Sequence, residues 1–94
     1  MNRKELFHRI TRFLERQGAK RIAIFGSYVR GEEKPESDID VIVEFSETKS
    51  LLELVRIERE LSEALGTKVD LLTEKSISPY LIDAVKREME VIYG

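Results

Sequence analysis

Apolar residues recur at the spacing of an amphipathic helix in three stretches of this chain. The first stretch predicts a helix over residues 3–17. The second follows Ser50, which has the capping-box spacing, and stops at Gly66, so a second long helix is predicted between them. The third predicts a helix with Ser78 as its N-cap, a proline at its first position and its end near Glu88.

Short apolar stretches between and after these helices predict four strands. They cover residues 21–25, 38–45, 68–73 and 90–93. Between the first two, residues 28–31 leave room for about one helical turn, and a polar loop follows at 32–37. The resulting order αβαβαβαβ predicts an α/β fold, with a small sheet and flanking helices. We expect one domain that spans residues 1–94.

Aspartates occupy unusual positions in the predicted strands. Glutamate is the common acid of the chain, with fourteen copies against four aspartates, yet three of the aspartates fall in or at the start of strands. Aspartate is normally depleted there. Asp38 and Asp40 are two residues apart and therefore share a face of their strand, and Asp70 lies in the middle of another. Their presence in strands therefore indicates a functional role, such as binding a cation or a substrate, rather than a role in forming the strand.

Binding a divalent cation would be such a role, because two carboxylates held side by side repel each other unless a cation lies between them. The chain has no cysteine and a single histidine, His8, so thiolate and multi-histidine metal sites are excluded. Oxygen ligands alone favour Mg²⁺ or Mn²⁺. The aspartates therefore predict a magnesium or manganese site, although acid pairs also arise by chance in a sequence this acidic.

Gly26 and Ser27 end the first predicted strand and open the short helical turn. Backbone N–H groups and a hydroxyl at such a position form a phosphate site, although the pair alone is also an ordinary turn. For Ser27 and Asp38 to be neighbours, the strands at 21–25 and 38–45 must run antiparallel, which makes the sheet mixed. A phosphate site that faces metal-binding carboxylates suits phosphoryl or nucleotidyl transfer.

Charge and hydropathy exclude other classes of protein. A formal net charge of -2 argues against a protein that holds nucleic acid through its gross electrostatics. No apolar run approaches the roughly 20 residues of a membrane span. The N-terminus leads into an amphipathic helix without the apolar core of a signal peptide. We therefore expect a cytoplasmic protein with no membrane contact.

The spacing of the candidate residues resembles a known signature. Gly26-Ser27, ten further residues and Asp38-x-Asp40 are similar to the Gly-Ser-x10-Asp-x-Asp pattern of the polymerase-β-like nucleotidyltransferase superfamily. The fuller GSYVRG and SDIDVIV resemble its minimal nucleotidyltransferase branch. The resemblance implies a palm-like fold in which Ser27 holds the β- and γ-phosphates of a nucleoside triphosphate. It also implies that Asp38 and Asp40 bind two metal ions, and that Asp70 binds one of them and helps to activate the acceptor hydroxyl.

Two residues near this signature have more than one interpretation. Arg30 lies within the matched segment and could reach a phosphate, but it could equally pair with a loop glutamate and fix the loop. Tyr28 could stack on a base or pack in the core, and the core is favoured.

The resemblance also implies a partner. Minimal nucleotidyltransferases are commonly encoded beside a small helical HEPN protein, and such a pair resembles a toxin–antitoxin system in which AMP passes from ATP to a HEPN tyrosine. Two alternatives stay open, a non-catalytic protein that neutralises its partner by occlusion and a nucleotide-sensing regulatory domain. Apolar positions such as Ile57, Tyr80 and Val85 are expected to be incompletely covered, and three glutamates in the loop 32–37 favour a basic partner surface.

Overall fold

Helices and strands alternate along the chain in a computed structural model, which describes residues 2–31 and 38–94 apart from the side chains of Ser27 and Arg30. The helices are α1 (Arg3–Arg16), α2 (Ser27–Arg30), α3 (Leu51–Leu65) and α4 (Ile82–Glu88), and the strands are β1 (Ala19–Phe25), β2 (Ile39–Phe45), β3 (Val69–Leu72) and β4 (Glu90–Tyr93). A 3-10 turn at Glu74–Ser76 follows β3. The predicted order and the α/β class are confirmed.

The four strands form one mixed sheet in the order β3-β2-β1-β4. β1 pairs antiparallel with both β2 and β4, whereas β2 and β3 are parallel. A parallel pair needs a crossover connection, and α3 provides it. The antiparallel pairing of β1 with β2 agrees with the requirement that the glycine–serine turn and the first aspartates be neighbours.

α1 and α3 bury one face of the sheet in a single apolar core. Alternation along β2 sends Ile39, Val41 and Val43 into this core and the intervening residues to the opposite face. The buried cluster comprises Leu6, Ile10, Leu14, Ala19, Ile22, Ile24, Ile39, Val41, Val43, Ile57, Leu61, Leu65, Val69 and Leu71. Ala23 and Ile42 are buried outside this cluster, on the opposite face. That face carries the aspartates.

Local signals account for the ends of the two long helices. The Asn2 side chain accepts a hydrogen bond from the Glu5 amide at 2.8 Å and caps α1. Ser50 and Glu53 form the predicted capping box at the start of α3. Gly66 ends α3 in the left-handed conformation, with φ of 68°, which glycine adopts without steric cost.

The predicted start of the last helix is wrong by several residues. Ser78 and the proline after it open a turn rather than the helix, and the amides of Leu81 and Ile82 both donate to the Ser78 carbonyl. Packing supplies most of the stability of short helices, and Tyr80 and Leu81 are exposed. The helix therefore begins only at Ile82.

Two further expectations need correction. β1 starts at Ala19 rather than residue 21, because the antiparallel ladder extends to a pair between Ala19 and Phe45 across an irregularity in the register. Ile57 is fully buried in the core, so it is unavailable for docking, whereas Tyr80 is 95% exposed. Among the described residues, no helix is both long enough and apolar enough to cross a bilayer.

Candidate functional site

Asp40 and Asp70 are direct neighbours across the parallel strands β2 and β3. The register pairs Ile39 with Val69 and Asp40 with Asp70, and neighbouring strands lie about 4.8 Å apart. Residues in register share a face of a sheet. Because Val69 and Ile39 are buried in the core, the two carboxylates project from the opposite face, where both are partly exposed.

Asp38 lies just before β2, on the same side as Asp40 by strand alternation. Its carboxylate is 3.8 Å from the Lys68 ammonium, Oδ2 to Nζ. The same parallel register explains this contact, because Lys68 stands opposite Asp38 and its carbonyl accepts a hydrogen bond from the Ile39 amide at 3.0 Å. Both side chains are well exposed, so water screens the pair.

Gly26 lies against the carboxylate of Asp40. The antiparallel register pairs Asp40 with Phe25, which brings the next residue of β1 over the aspartate. A Cβ on Gly26 would collide with Oδ2 of Asp40, and the backbone φ of 81° also requires glycine. Two independent features of the structure thus require glycine at position 26. The glycine turns the chain into α2 and leaves room for the carboxylate.

The backbone of the predicted phosphate site has the expected form. α2 is a single turn that begins directly after Gly26, and the Val29 amide donates to the Gly26 carbonyl at 3.1 Å. The predicted roles of the Ser27 and Arg30 side chains lie outside the described residues, as do the loop glutamates at 32–37. Tyr28 packs against the apolar core, which supports the core interpretation of this residue.

The donor set suits a divalent cation in its chemistry. Asp40 and Asp70 supply two hard carboxylate ligands in register on one face. Within residues 2–31 and 38–94, however, no three acidic or histidine side chains converge closely enough to hold one ion. The carboxylate of Asp38 instead lies beside the Lys68 ammonium. Asp40 and Asp70 share a face as expected, and convergence of all three carboxylates on one ion stays a prediction.

Within the part of the chain that the structure describes, the candidate aspartates lie on a sheet face and outside the main cleft. A cleft of about 420 Å³ does lie in the molecule, lined by residues at the far end of β2, in the loop after it and in the 3-10 turn. Phe45 in its wall is five residues beyond Asp40, or roughly 16 Å of extended strand. The cleft therefore does not include the aspartates.

Sequence reasoning missed Lys68 as a neighbour of the site. A signal for it exists, because aligning the segment DID with KVD in parallel places Lys68 beside Asp38 when Asp70 is beside Asp40. The contact between Gly26 and Asp40 has no comparable signal. It depends on the antiparallel register of β1 with β2, which the length of the intervening loop does not determine.

Comparisons with known proteins extend over most of the chain. Residues 8–92 match the model of the nucleotidyltransferase domain. A provisionally named protein adenylyltransferase of Methanocaldococcus jannaschii is 52% identical over 88 residues, which cover 94% of this chain and 95% of that protein.

Solved structures with the same fold agree with this match. In a toxin–antitoxin structure with AMP-PNP, the matched chain gives a TM-score of 0.85 at 28% identity, over 94% of this chain and 73% of that one. A structure of a tri-AMPylated Shewanella oneidensis HEPN toxin in complex with an MNT antitoxin gives 0.79 at 25% identity, over 97% of this chain and 71% of the matched one. The predicted palm-like sheet is confirmed by these similarities.

Proposed function

The chain belongs to the nucleotidyltransferase domain family, and from this membership we propose that it transfers AMP from ATP to a hydroxyl group of a partner protein. The observation that carries the proposal is the pair Asp40 and Asp70, which lie in register on one sheet face, with the backbone of Gly26 against the Asp40 carboxylate. A protein adenylyltransferase from Methanocaldococcus jannaschii, provisionally so named, shares half of its residues with this chain. The name of this relative supports a protein as the acceptor.

The proposed roles divide the site into two parts. Gly26 and Ser27 hold the β- and γ-phosphates through the turn into α2, and Arg30 is a candidate for a further phosphate contact. Asp38, Asp40 and Asp70 are the proposed ligands of Mg²⁺, for which Mn²⁺ is a substitute. When bound, this cation would neutralise charge on the triphosphate and on the transferred group. Asp70 has the additional task of accepting a proton from the acceptor.

The reaction follows from these positions. The oxygen of the acceptor hydroxyl attacks the α-phosphorus of ATP, and the bond from that phosphorus to the oxygen bridging the α- and β-phosphates breaks. Pyrophosphate leaves, and the proton of the hydroxyl passes to a carboxylate, for which Asp70 is the candidate. For in-line attack, the partner must deliver its hydroxyl to within about 3 to 3.5 Å of the α-phosphorus.

A HEPN toxin is the proposed partner, with a tyrosine as the acceptor. Support comes from the similarity to the MNT antitoxin that is bound to a tri-AMPylated HEPN toxin in Shewanella oneidensis. The toxin–antitoxin structure with AMP-PNP supports an adenine nucleotide as the donor. In this proposal the chain is the antitoxin, and modification silences the toxin.

Occlusion is the second candidate, because an antitoxin that only covers its partner would match the same relatives. The double variant Asp38→Asn with Asp40→Asn separates the two. It keeps the size of both side chains while it removes their charge, so the fold and the contact with the partner should survive and AMP transfer should be lost. Co-expression with the toxin tests this. Growth arrest with the double variant supports catalysis, and full neutralisation by the variant would establish occlusion.

A further inference from the structure

β3 is an edge strand, and its outward amides are bonded to side chains of α3 instead of to another strand. The Leu71 amide donates to Oε2 of Glu58 at 2.8 Å, and the Val69 amide donates to Oγ of Ser62 at 2.9 Å. The Ser62 hydroxyl in turn donates to the Glu58 carbonyl at 2.8 Å. Two neighbouring turns of α3 are thus tied to two points of the strand.

These two points lie on either side of Asp70. The side chains of Val69 and Leu71 are buried in the core beneath α3, while Asp70 points from the other face toward the candidate site. A four-residue edge strand is bonded to the sheet along one side only. Besides its ladder to β2 and the core beneath it, the strand is held on its outer side by Glu58 and Ser62, so these contacts contribute to its height and tilt relative to β2.

We propose that Glu58 and Ser62 are positioning residues for Asp70, which hold its carboxylate at the distance from Asp40 that metal binding and proton transfer require. The inference rests on the proposed function, since that function gives Asp70 its task. Residues that orient a metal ligand typically cost about 10- to 100-fold in affinity or activity when they are lost. The competing explanation is that the pair only shields the strand edge from unwanted pairing.

The contacts favour positioning over shielding. The bond to Glu58 is to a carboxylate, which makes it stronger and geometrically stricter than a neutral hydrogen bond. The Ser62 hydroxyl donates to the Glu58 carbonyl within α3, and this bond orients its oxygen as the acceptor for the Val69 amide. A shielding role would need only bulk or charge at this edge.

The test compares Glu58→Ala with Glu58→Gln and with a control on the same helix. Glu58→Gln keeps an acceptor oxygen for the Leu71 amide. Glu60→Ala removes a glutamate two residues away, whose carboxylate pairs with Arg56 at 3.0 Å on the helix surface. Three quantities are measured on each variant: AMP transfer to the partner, the affinity for Mn²⁺ in the presence of a non-hydrolysable ATP analogue, and hydrogen exchange of the Leu71 amide.

We expect Glu58→Ala to lower kcat by about tenfold or more and to weaken Mn²⁺ binding similarly, with KM for ATP changed less than about twofold. Glu58→Gln should recover most of the loss, and Glu60→Ala should match the wild type. In an Asp70→Asn background, Glu58→Ala should add less than about a twofold further loss, because both changes remove the same contribution.

Two results would overturn the inference. One is faster exchange of the Leu71 amide in Glu58→Ala with wild-type kcat and Mn²⁺ affinity, which would leave edge shielding alone. The other is a full additional loss in the Asp70→Asn background. Failure of the proposed function is recognised separately. A wild-type chain that transfers no AMP but loses Mn²⁺ affinity through Glu58→Ala would retain the positioning pair without the activity, and a wild-type chain with neither property would overturn both.

Discussion

The contact between Gly26 and Asp40 is the tightest constraint in the site, and it gives a prediction at the level of one atom. Gly26→Ala introduces a Cβ within collision distance of Oδ2 of Asp40 and forces alanine to adopt a φ of 81°. We expect a loss of about 1 kcal/mol in unfolding free energy from the backbone. The displaced carboxylate should lower AMP transfer by about a hundredfold.

Gly18→Ala is the matched control for this prediction. Its φ of 91° carries the same kind of backbone penalty, but a Cβ there meets no atom within 4 Å. The melting temperature should therefore be lower in both variants, whereas the rate of AMP transfer should fall only in Gly26→Ala. Equal transfer rates in the two variants, per folded molecule, would contradict the account of the glycine.

The aspartates themselves were predictable because strand alternation is local. A spacing of two fixes a shared face whatever the rest of the fold does, and so Asp38 and Asp40 could be paired from the sequence. The partnership of Asp70 with Asp40 needed the family resemblance, because the register of a parallel pair is decided by a crossover helix and its packing. The position of Lys68 beside Asp38 follows from that register alone.

At the scale of elements, the cap of α3 makes stability depend on pH. The Ser50 amide and the Ser50 hydroxyl donate to the Glu53 carboxylate, and these hydrogen bonds hold the pKa of Glu53 below its ordinary value of 4.5. A folded pKa below the unfolded one contributes stability that is present above the unfolded pKa. This contribution is lost as pH falls through the folded pKa.

Glu53→Gln should therefore melt below the wild type at pH 7, and the difference should shrink toward pH 3. Glu63→Gln serves as the control, because it removes a negative charge near the C-terminal end of the same helix, where that charge is unfavourable. Melting temperatures measured by circular dichroism across this range test the sign. A difference for Glu53→Gln that grows at low pH would contradict the role of the carboxylate.

Caps and periodicity made most elements predictable, and packing explains the exceptions. The capping box and Gly66 define α3 by local hydrogen bonds, which the sequence states directly. At Ser78 the same kind of signal was present, but it produced a turn. A cap fixes where a helix can start, and only burial of the following residues extends it. With Tyr80 and Leu81 exposed, nothing favours a helix there.

For the whole molecule, ATP and metal should stabilise the chain together. The neighbouring carboxylates of Asp40 and Asp70 repel each other without a cation, so ATP binding should require Mg²⁺ or Mn²⁺. Each ligand should raise the melting temperature in the presence of the other. A ligand concentration of a hundred times Kd adds about 2.7 kcal/mol to the free energy of unfolding. Calorimetry with and without EDTA tests this, and equal ATP affinity in both conditions would contradict the site.

Association with the partner is a second property of the whole molecule. Tyr80 and Leu52 are 95% and 82% exposed, and the sequence carries three glutamates in the segment 32–37, directly before Asp38. We predict a complex with a basic, mostly helical protein that weakens with salt and with Glu32→Lys combined with Glu33→Lys. Light scattering after size exclusion should detect it. Two separate peaks at micromolar concentration in low salt would contradict this prediction.

Transfer of AMP to the partner is the most direct test of the central claim. The proposed HEPN partner is purified and incubated with ATP, Mg²⁺ and the chain, and its intact mass is then measured. We predict the addition of one or more AMP groups to a hydroxyl side chain with the wild type, and none with Asp38→Asn combined with Asp40→Asn. A partner that is bound and neutralised by the wild type while its mass stays unchanged would contradict the account.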